Sequence, residues 1–336
     1  HALALDADGK VYSWGYNRDG QLGDNSTTHS STPIAVDVSG VLAGKAITQL
    51  AAGEFSSLVL DSNGDVYGWG SNYYGQLGDG TVTYRHAPVA MDMSALAGEV
   101  IDTLQSGSGH SIALTASGKV FSWGDNYNSQ LGVTHPEASR TPVSLYTDGT
   151  MAGAAVSQVS YGYEFGVALA NGKVYSWGDN SWTQLGDGTE ISKNKPVAVD
   201  ASGVLAGKTI TQIAVGFEHT LAIDSDGKVY GWGANWSGAL GNGTTDWVTS
   251  PVATDMTGAL AGKTITQVAA GEQISLALDS DGKVYGWGEN YDGHIGNGTT
   301  NVESHVPVAT DMTGALAGKT VSQIELSVCG TARRDR

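Results

Sequence analysis

An all-β fold, closed into a ring as a β-propeller of four-stranded antiparallel blades, is predicted by three observations. Trp-Gly occurs at six places that are separated by 54 or 55 residues. The segment between two copies reads as four short strands, and 48 of the 336 residues are glycine, which gives the backbone the freedom that tight turns need. A unit repeated at such a period is typical of propellers and related repeat folds. The six motif tryptophans are Trp14, Trp69, Trp123, Trp177, Trp232 and Trp287.

One repeat shows how the strands are predicted. Thr209–Val215 alternates and is rich in β-branched residues, which favours a first strand. His219–Ile223 and Lys228–Gly233 read as the second and third strands, with a glycine-containing turn at Asp224–Gly227 between them. A long polar loop follows, and Pro251–Asp255 starts the fourth strand. No segment carries a sustained helical period.

The two chain ends predict how the ring closes. His1–Asp6 reads as the second strand of a blade that lacks its first, and Thr320–Leu326 reads as a first strand that lacks its second. Pairing the two would complete one blade and remove two exposed sheet edges. We therefore predict a single six-bladed domain over residues 1–326 and a C-terminal tail over residues 327–336.

Composition excludes several classes of function. Lys and Arg number 17 against 34 Asp and Glu, so the net charge of −17 would repel a nucleic-acid backbone or an anionic membrane. The single cysteine, Cys329, permits neither an internal disulfide nor a CxxC metal site. No apolar run is long enough to span a membrane. The chain starts at His1 without a visible signal peptide, which suggests a mature or excised segment of a longer protein.

The repeat resembles that of the RCC1-like family. Its hallmark string, GxxHTLALxxDGKVYxWGxNxxGQLGxG, is best matched at residues 216–241 and 1–23. The resemblance implies a β-propeller of four-stranded blades, usually seven, whereas this chain has six repeats and a degenerate third one between Val133 and Ala155. Bacterial members with a linker like SGVLAGKTITQ are secreted or displayed on the cell surface, so that location is expected here. Family members include a nucleotide-exchange factor, a plant ultraviolet photoreceptor and a secreted β-lactamase inhibitor.

Strand direction sorts the loops into two sets. In an antiparallel blade the loops after the first and third strands share one end, and the turns after the second and fourth strands share the other. The second set is monotonous in sequence, whereas the first set varies toward aromatic and acidic residues. The predicted binding residues in the varied set are Arg18, Asp19, Glu54, Phe55, Tyr73, Tyr74, Tyr127, Asn128, Tyr163, Glu164, Trp182, Phe217, Glu218, Trp236, Tyr291 and Asp292.

Exposed Tyr and Trp among polar residues suit a binding surface, because they bury a large area at a low cost in side-chain entropy. We therefore predict a non-enzymatic scaffold that binds a partner protein or a glycan, without metal or cofactor. Three alternatives remain: loops that vary because nothing constrains them, a regulator or inhibitor of an enzyme, and a purely structural module of a larger surface protein. No nucleophile elbow, phosphate-binding loop or dinucleotide fingerprint is present.

Other repeated residues favour framework roles. A tryptophan at the same place in every blade indicates packing between blades rather than a light-sensing cluster. Only Trp182, Trp236 and Trp247 lie outside the motif, and they are scattered over two repeats. His1, His110 and His219 share one repeat position, where a framework hydrogen bond is expected. The Asp-x-Asp-Gly segments indicate turns rather than calcium loops.

Overall fold

A computed structural model describes residues 1–134, 137–145, 151 and 153–326. The chain forms two compact units, residues 1–147 and residues 148–336. Over the described residues both units are built from antiparallel strands joined by turns and loops, and the first unit also has a short 3-10 helix at Ser94–Leu96. The predicted tail at residues 327–336, including Cys329, lies outside the described part of the chain.

The first unit contains three sheets. One has three strands in the order β1-β2-β3, and two have four strands in the orders β4-β5-β6-β7 and β8-β9-β10-β11. The strands are β1 (Ala2–Leu5), β2 (Val11–Gly15), β3 (Ser30–Ala35), β4 (Ile47–Ala52), β5 (Ser56–Asp61), β6 (Val66–Gly70), β7 (Arg85–Ala90), β8 (Ile101–Ser106), β9 (His110–Thr115), β10 (Val120–Asp125) and β11 (Ala138–Ser144).

The second unit contains three four-stranded sheets, in the orders β12-β13-β14-β15, β16-β17-β18-β19 and β20-β21-β22-β23. The strands are β12 (Val156–Tyr161), β13 (Phe165–Ala170), β14 (Lys173–Gly178), β15 (Lys193–Ala198), β16 (Ile210–Val215), β17 (His219–Asp224), β18 (Val229–Gly233), β19 (Val248–Ala253), β20 (Ile265–Ala270), β21 (Ile274–Asp279), β22 (Val284–Gly288) and β23 (Ser304–Ala309).

The sheets confirm the all-β prediction and agree with blades of a propeller. Every paired strand is the sequence neighbour of its partner and runs antiparallel to it. The fourth strand of the repeat begins earlier than predicted, at Val248 instead of Pro251. A register shift between Gly231 and Gly233 lets the chain pair again at Val248, so the N–H that Pro251 lacks does not end the ladder.

The predicted pairing of the two chain ends is only partly matched by the strands that the structure shows. The first sheet has three strands, as the prediction for His1–Asp6 requires, but Thr320–Leu326 forms no strand. Gln267 nevertheless holds Ile324 by two hydrogen bonds, from Nε2 to the Ile324 carbonyl at 2.8 Å and from the Ile324 N–H at 2.9 Å. Gln158 holds Ile213 of the neighbouring inner strand in the same way. The segment therefore lies where the first strand of a further sheet would lie. Closure of the ring stays a prediction.

The motif tryptophans pack between neighbouring sheets, which confirms their framework role. Trp232 is fully buried among side chains of the preceding sheet, such as Val167 and Leu185. In the last sheet, Trp287 Nε1 donates to the carbonyl of Ala239 at 2.7 Å. In the first unit, the indole N–H groups of Trp69 and Trp123 donate likewise to carbonyls of the preceding sheet. Five of the six motif tryptophans have no exposed surface; Trp14, in the three-stranded sheet, is half-buried.

The glycine after each motif tryptophan is required by a close backbone approach. Gly233 has φ of +98°, and a Cβ atom placed there would lie 2.5 Å from the carbonyl oxygen of Glu218. A side chain would therefore be strained by the backbone conformation and would also collide with the loop that follows the first strand. This glycine lets that loop sit directly against the loop that follows the third strand.

The Asp-Gly turns are stabilised from within the framework. Asp224 Oδ1 accepts the N–H groups of Asp226 and Lys228, and Asp224 Oδ2 accepts the Tyr230 hydroxyl at 2.9 Å and pairs with Lys208 Nζ at 3.0 Å. Burial alone would raise the pKa of Asp224, but these donors hold it below its ordinary value. The carboxylate is fully engaged in the fold, in agreement with a turn.

The shared histidine position also has the expected framework role. His219 Nε2 lies 3.0 Å from Ser275 Oγ of the next sheet, and His1 Nε2 lies 2.8 Å from Ser57 Oγ in the first unit. Burial lowers the pKa of His219 to about 4, so its imidazole is neutral near neutral pH. Each of these two histidines thus joins two adjacent sheets through a hydrogen bond.

Candidate binding face

The loops after the first and third strands of each sheet lie at one end, here named the varied end. In the second unit the Asp179 N–H donates to the Glu164 carbonyl, and the Ala234 N–H donates to the Glu218 carbonyl, both at 2.9 Å. In the first unit the Ser71 N–H donates to the Phe55 carbonyl at 2.8 Å. Each pair of loops is therefore fixed together, and the residues predicted for binding lie on these loops.

Within the second unit the three varied ends are neighbours. The Tyr163 N–H donates to the Phe217 carbonyl, and the Phe217 N–H donates to the Gly271 carbonyl, both at 3.0 Å. The rings of Tyr163 and Phe217 stack, with centroids 4.3 Å apart and planes 20° apart. The structure thus gathers the loops after β12, β16 and β20 into one surface.

The long loop after each third strand is organised by a buried asparagine. Asn235 Oδ1 accepts the N–H of Leu240 at 2.9 Å, and Asn235 Nδ2 donates to the carbonyls of Thr244 and Asp246. The equivalent Asn180 makes the same kind of contacts in the preceding sheet. The sequence showed this asparagine six times without assigning its role. Its regular spacing after Trp-Gly was the available signal, because an invariant polar residue inside a variable loop indicates a structural anchor.

The three tryptophans outside the motif form one cluster. Trp182 and Trp236 pack edge to face with ring centroids 4.7 Å apart, and Trp247 lies 5.4 Å from Trp182 and 6.4 Å from Trp236. The description of these residues as scattered is therefore wrong: the loops after β14 and β18 belong to adjacent sheets and meet at the varied end. Trp236 and Trp247 are 37% and 47% exposed, which is unusual for indole rings.

A small concavity, here called the cleft, adjoins this cluster. Trp236 and Ser237 line it from the loop after β18, Glu218 from the loop after β16, and Glu272 and Gln273 from the loop after β20. Ser237 Oγ donates to Gln273 Oε1 at 2.8 Å, which fixes one wall. The structure therefore brings two predicted residues, Glu218 and Trp236, to one concave site and adds Glu272 and Gln273 to it.

Carboxylates accumulate beside the cleft. Partial burial raises the pKa of Glu289, and the charges of Glu272, Glu303 and Asp292 raise it further, whereas His294 opposes the shift. Among the described residues, no lysine or arginine forms an ion pair with Glu272 or Glu289. This part of the varied end is therefore a negative surface with little internal compensation.

The remaining predicted residues of the second unit are less gathered. Tyr291 is 48% exposed, and the adjacent Asp292 is exposed on the loop after β22. Glu164 is partly buried, and its carbonyl binds the neighbouring loop. Neither Tyr291 nor Glu164 lines the cleft described above.

The first unit carries two smaller aromatic groups at its varied ends. Phe55 packs near Tyr16, with ring centroids 6.1 Å apart, and Tyr16 in turn stacks on His29 at 4.7 Å. Tyr73 and Tyr74 form an edge-to-face pair at 4.9 Å, and both are exposed. Tyr16 and His29 were not among the predicted residues, although an aromatic residue directly after Trp-Gly was visible in the sequence.

Polar predicted residues of the first unit lie near the same loops. Glu54 Oε2 accepts a hydrogen bond from Ser108 Oγ at 2.5 Å, which ties the loops of two sheets together. Burial raises the pKa of Asp19, and the nearby Arg18 lowers it in part. Tyr127 and Asn128 follow β10; Tyr127 is 75% exposed, and the Asn128 N–H donates to Gln130 Oε1.

The described part of the chain contains no group of three or more His, Cys, Asp or Glu residues placed to hold a metal ion. Over the same residues, no helix has the length and apolar character to cross a membrane. The varied ends therefore offer aromatic surface, hydrogen-bonding groups and negative charge.

The chain is similar in sequence to known proteins, of which it spans very different fractions. The chain is 37% identical over 280 residues to the human E3 ubiquitin-protein ligase HERC2, which matches 82% of this chain and 6% of that protein. It is 32% identical over 310 residues to the ultraviolet-B receptor UVR8 of Arabidopsis thaliana, covering 92% of this chain and 67% of the receptor. These relatives are eukaryotic, and they do not support the bacterial, secreted type that the linker suggested.

Solved structures show the same fold at lower identity. Human WBSCR16 superposes with a TM-score of 0.81 at 24% identity, over 97% of this chain and 82% of that one. Yeast RCC1 (Prp20), solved bound to Kap60, superposes with a TM-score of 0.77 at 20% identity, over 96% of this chain and 76% of that one. The model of the RCC1-like domain family matches residues 1–331, so the chain belongs to the RCC1-like domain family.

Proposed function

We propose that this chain is a non-enzymatic binding scaffold that holds a partner protein on its varied ends. The observation that carries the proposal is the exposed cluster of Trp182, Trp236 and Trp247 beside a cleft. Large exposed aromatic rings on a rigid frame are typical of residues that dominate protein–protein binding energy. The frame is rigid because buried asparagines and backbone hydrogen bonds fix the loops.

A protein partner is favoured over a glycan by the arrangement of the rings. Trp182 and Trp236 meet edge to face, so they form an irregular aromatic surface rather than a flat platform on which a sugar ring would stack. The relatives agree with a protein partner, since RCC1 (Prp20) was solved bound to Kap60. The E3 ubiquitin-protein ligase name belongs to a protein of which this chain matches only 6%, so no ligase activity is carried over. Secretion or display on a cell surface stays part of the proposal.

The experiment uses the full chain as bait for two probes, a phage-displayed random peptide library and a glycan array. The test variant is W182S/W236S/W247S, and a second variant, Y73S/Y74S, tests the first unit. The control is Val204→Ser, which removes an exposed apolar side chain from the linker between β15 and β16, a connection of the monotonous set.

We expect the wild-type chain and the control to enrich the same peptides, and the tryptophan variant to bind them at least about ten-fold more weakly. Circular dichroism and thermal unfolding establish that each variant is folded. Enriched peptides whose binding ignores the tryptophan and tyrosine variants would contradict the proposal. So would binding to glycans alone, or no enrichment at all.

A further inference from the structure

The cleft beside the tryptophan cluster has the chemistry of a receptor for a cationic side chain. It brings Trp236, Glu272 and Gln273 together, with Glu218 in the same wall. A guanidinium or ammonium group is attracted by the face of an indole ring and by carboxylates at the same time. A neutral apolar side chain would satisfy only the aromatic wall and would leave the carboxylates poorly solvated.

We propose, on the basis of the binding function proposed above, that the mouth of this cleft binds the charged end of an arginine or lysine side chain from a basic segment of the partner protein. Glu272 supplies the opposite charge, and Trp236 supplies a cation–π surface. Trp182 and Trp247 lie against Trp236 and extend the apolar surface on which the rest of the segment packs.

Charge complementarity selects this occupant. The chain carries a net charge of −17, and Glu289 interacts electrostatically with both Glu272 and Glu303. Two lysines of this unit, Lys208 and Lys263, pair with aspartates at the Asp-Gly turns, away from the varied end. A basic segment would relieve the mutual repulsion of the carboxylates, and the long-range field would also speed its association.

Position along the strand allows a matched control. Glu272 precedes β21, at the varied end, whereas Asp281 follows β21, at the opposite end of the same strand. Each substitution, Glu272→Gln and Asp281→Asn, removes one negative charge without changing the size of the side chain. The two variants therefore have equal net charge and separate a local contact from general attraction.

The probe is a synthetic nonapeptide, acetyl-Gly-Ser-Gly-Ser-Arg-Gly-Ser-Gly-Ser-amide, with a citrulline counterpart of the same shape and no charge. Each is titrated into the full chain at low ionic strength, with tryptophan fluorescence and calorimetry as readouts. We expect the arginine peptide to bind at least about ten-fold more tightly than the citrulline peptide. Glu272→Gln should weaken arginine binding by about ten-fold, and Asp281→Asn by less than about two-fold.

The two failures are distinguishable. Equal binding of the arginine and citrulline peptides, equal loss in both charge variants, or no binding of the arginine peptide would overturn the cationic cleft. In that case peptides enriched from the library in a tryptophan-dependent manner would still support the binding scaffold. Trp236→Ser provides a second variant; unchanged arginine binding in that protein would also contradict the proposed cleft.

Discussion

Two buried hydroxyl groups at equivalent positions of adjacent sheets should respond to removal with opposite signs. Ser275 Oγ donates to the Ala239 carbonyl at 2.7 Å and lies 3.0 Å from His219 Nε2. Thr220 occupies the same place in the preceding sheet and has no exposed surface, yet its Oγ1 has no hydrogen-bond partner among the described residues. Ser275→Ala removes a satisfied group, whereas Thr220→Val removes an unsatisfied one and keeps the shape.

The magnitude follows from what each change leaves behind. In Ser275→Ala the Ala239 carbonyl keeps the Trp287 N–H as a donor, but His219 Nε2 stays buried and loses its partner. Leaving one buried polar atom unpaired costs about 1–3 kcal/mol, so we expect a loss of about 2 kcal/mol in the free energy of unfolding. In Thr220→Val the desolvation penalty of the hydroxyl disappears, so we expect a gain of about 1 kcal/mol.

Urea unfolding of the full chain, followed by tryptophan fluorescence and circular dichroism, measures both effects under the same conditions. Thr220→Ser serves as a further comparison, because serine at this place reaches a carbonyl of the preceding sheet in Ser57, Ser111 and Ser275. A destabilised Thr220→Val together with an unaffected Ser275→Ala would refute the reasoning from buried hydrogen bonds.

Other predictions concern pH, backbone and charge. The pKa of His219 is about 4 in the folded protein against a reference value of 6.5, so the unfolded state takes up a proton first as the pH falls. The contribution of His219 to the free energy of unfolding should therefore be full above about pH 6.5 and decline by about 3 kcal/mol toward pH 4. His219→Phe should flatten this decline in urea titrations at different pH values. Gly233→Ala should cost about 3 kcal/mol or more in thermal unfolding, whereas Gly203→Ala, in open space, should change stability by less than about 0.5 kcal/mol. Asp224→Ala should cost about 3 kcal/mol, because it leaves buried donors unpaired, while Asp226→Ala, which is exposed, should cost less than about 1 kcal/mol in the same assay.

Periodicity predicted most of the framework correctly. Three kinds of local signal predicted it: the position of Trp-Gly, the alternation in strands such as β16, and the glycine turn at Asp224–Gly227. Each signal depends only on nearby residues, so it recurs in the sequence wherever a sheet recurs in the structure. The start of β19 at Val248 was missed because a register shift, which depends on the neighbouring strand, restores pairing before Pro251. The absence of a strand at Thr320–Leu326 could not be anticipated from its alternating pattern, because an inner strand needs a paired neighbour to form a ladder.

The candidate site was only partly predictable for a different reason. Loop variability located Trp182, Trp236 and Glu218, but contacts between them depend on how adjacent sheets bring separate loops together. Trp247 stands eleven residues after Trp236 and joins the cluster because Asn235 folds the loop back. Glu272 was not among the predicted binding residues, because only the structure places it in the cleft wall.

Hydrogen–deuterium exchange of the full chain, with and without a peptide enriched from the library, tests the binding face most directly. Bound peptide should slow exchange in the loops at residues 216–218, 234–247 and 271–273, and leave the turns at residues 224–227 and 280–283 unchanged. Slower exchange confined to those turns, or to the linker at residues 258–263, would contradict a binding face at the varied end.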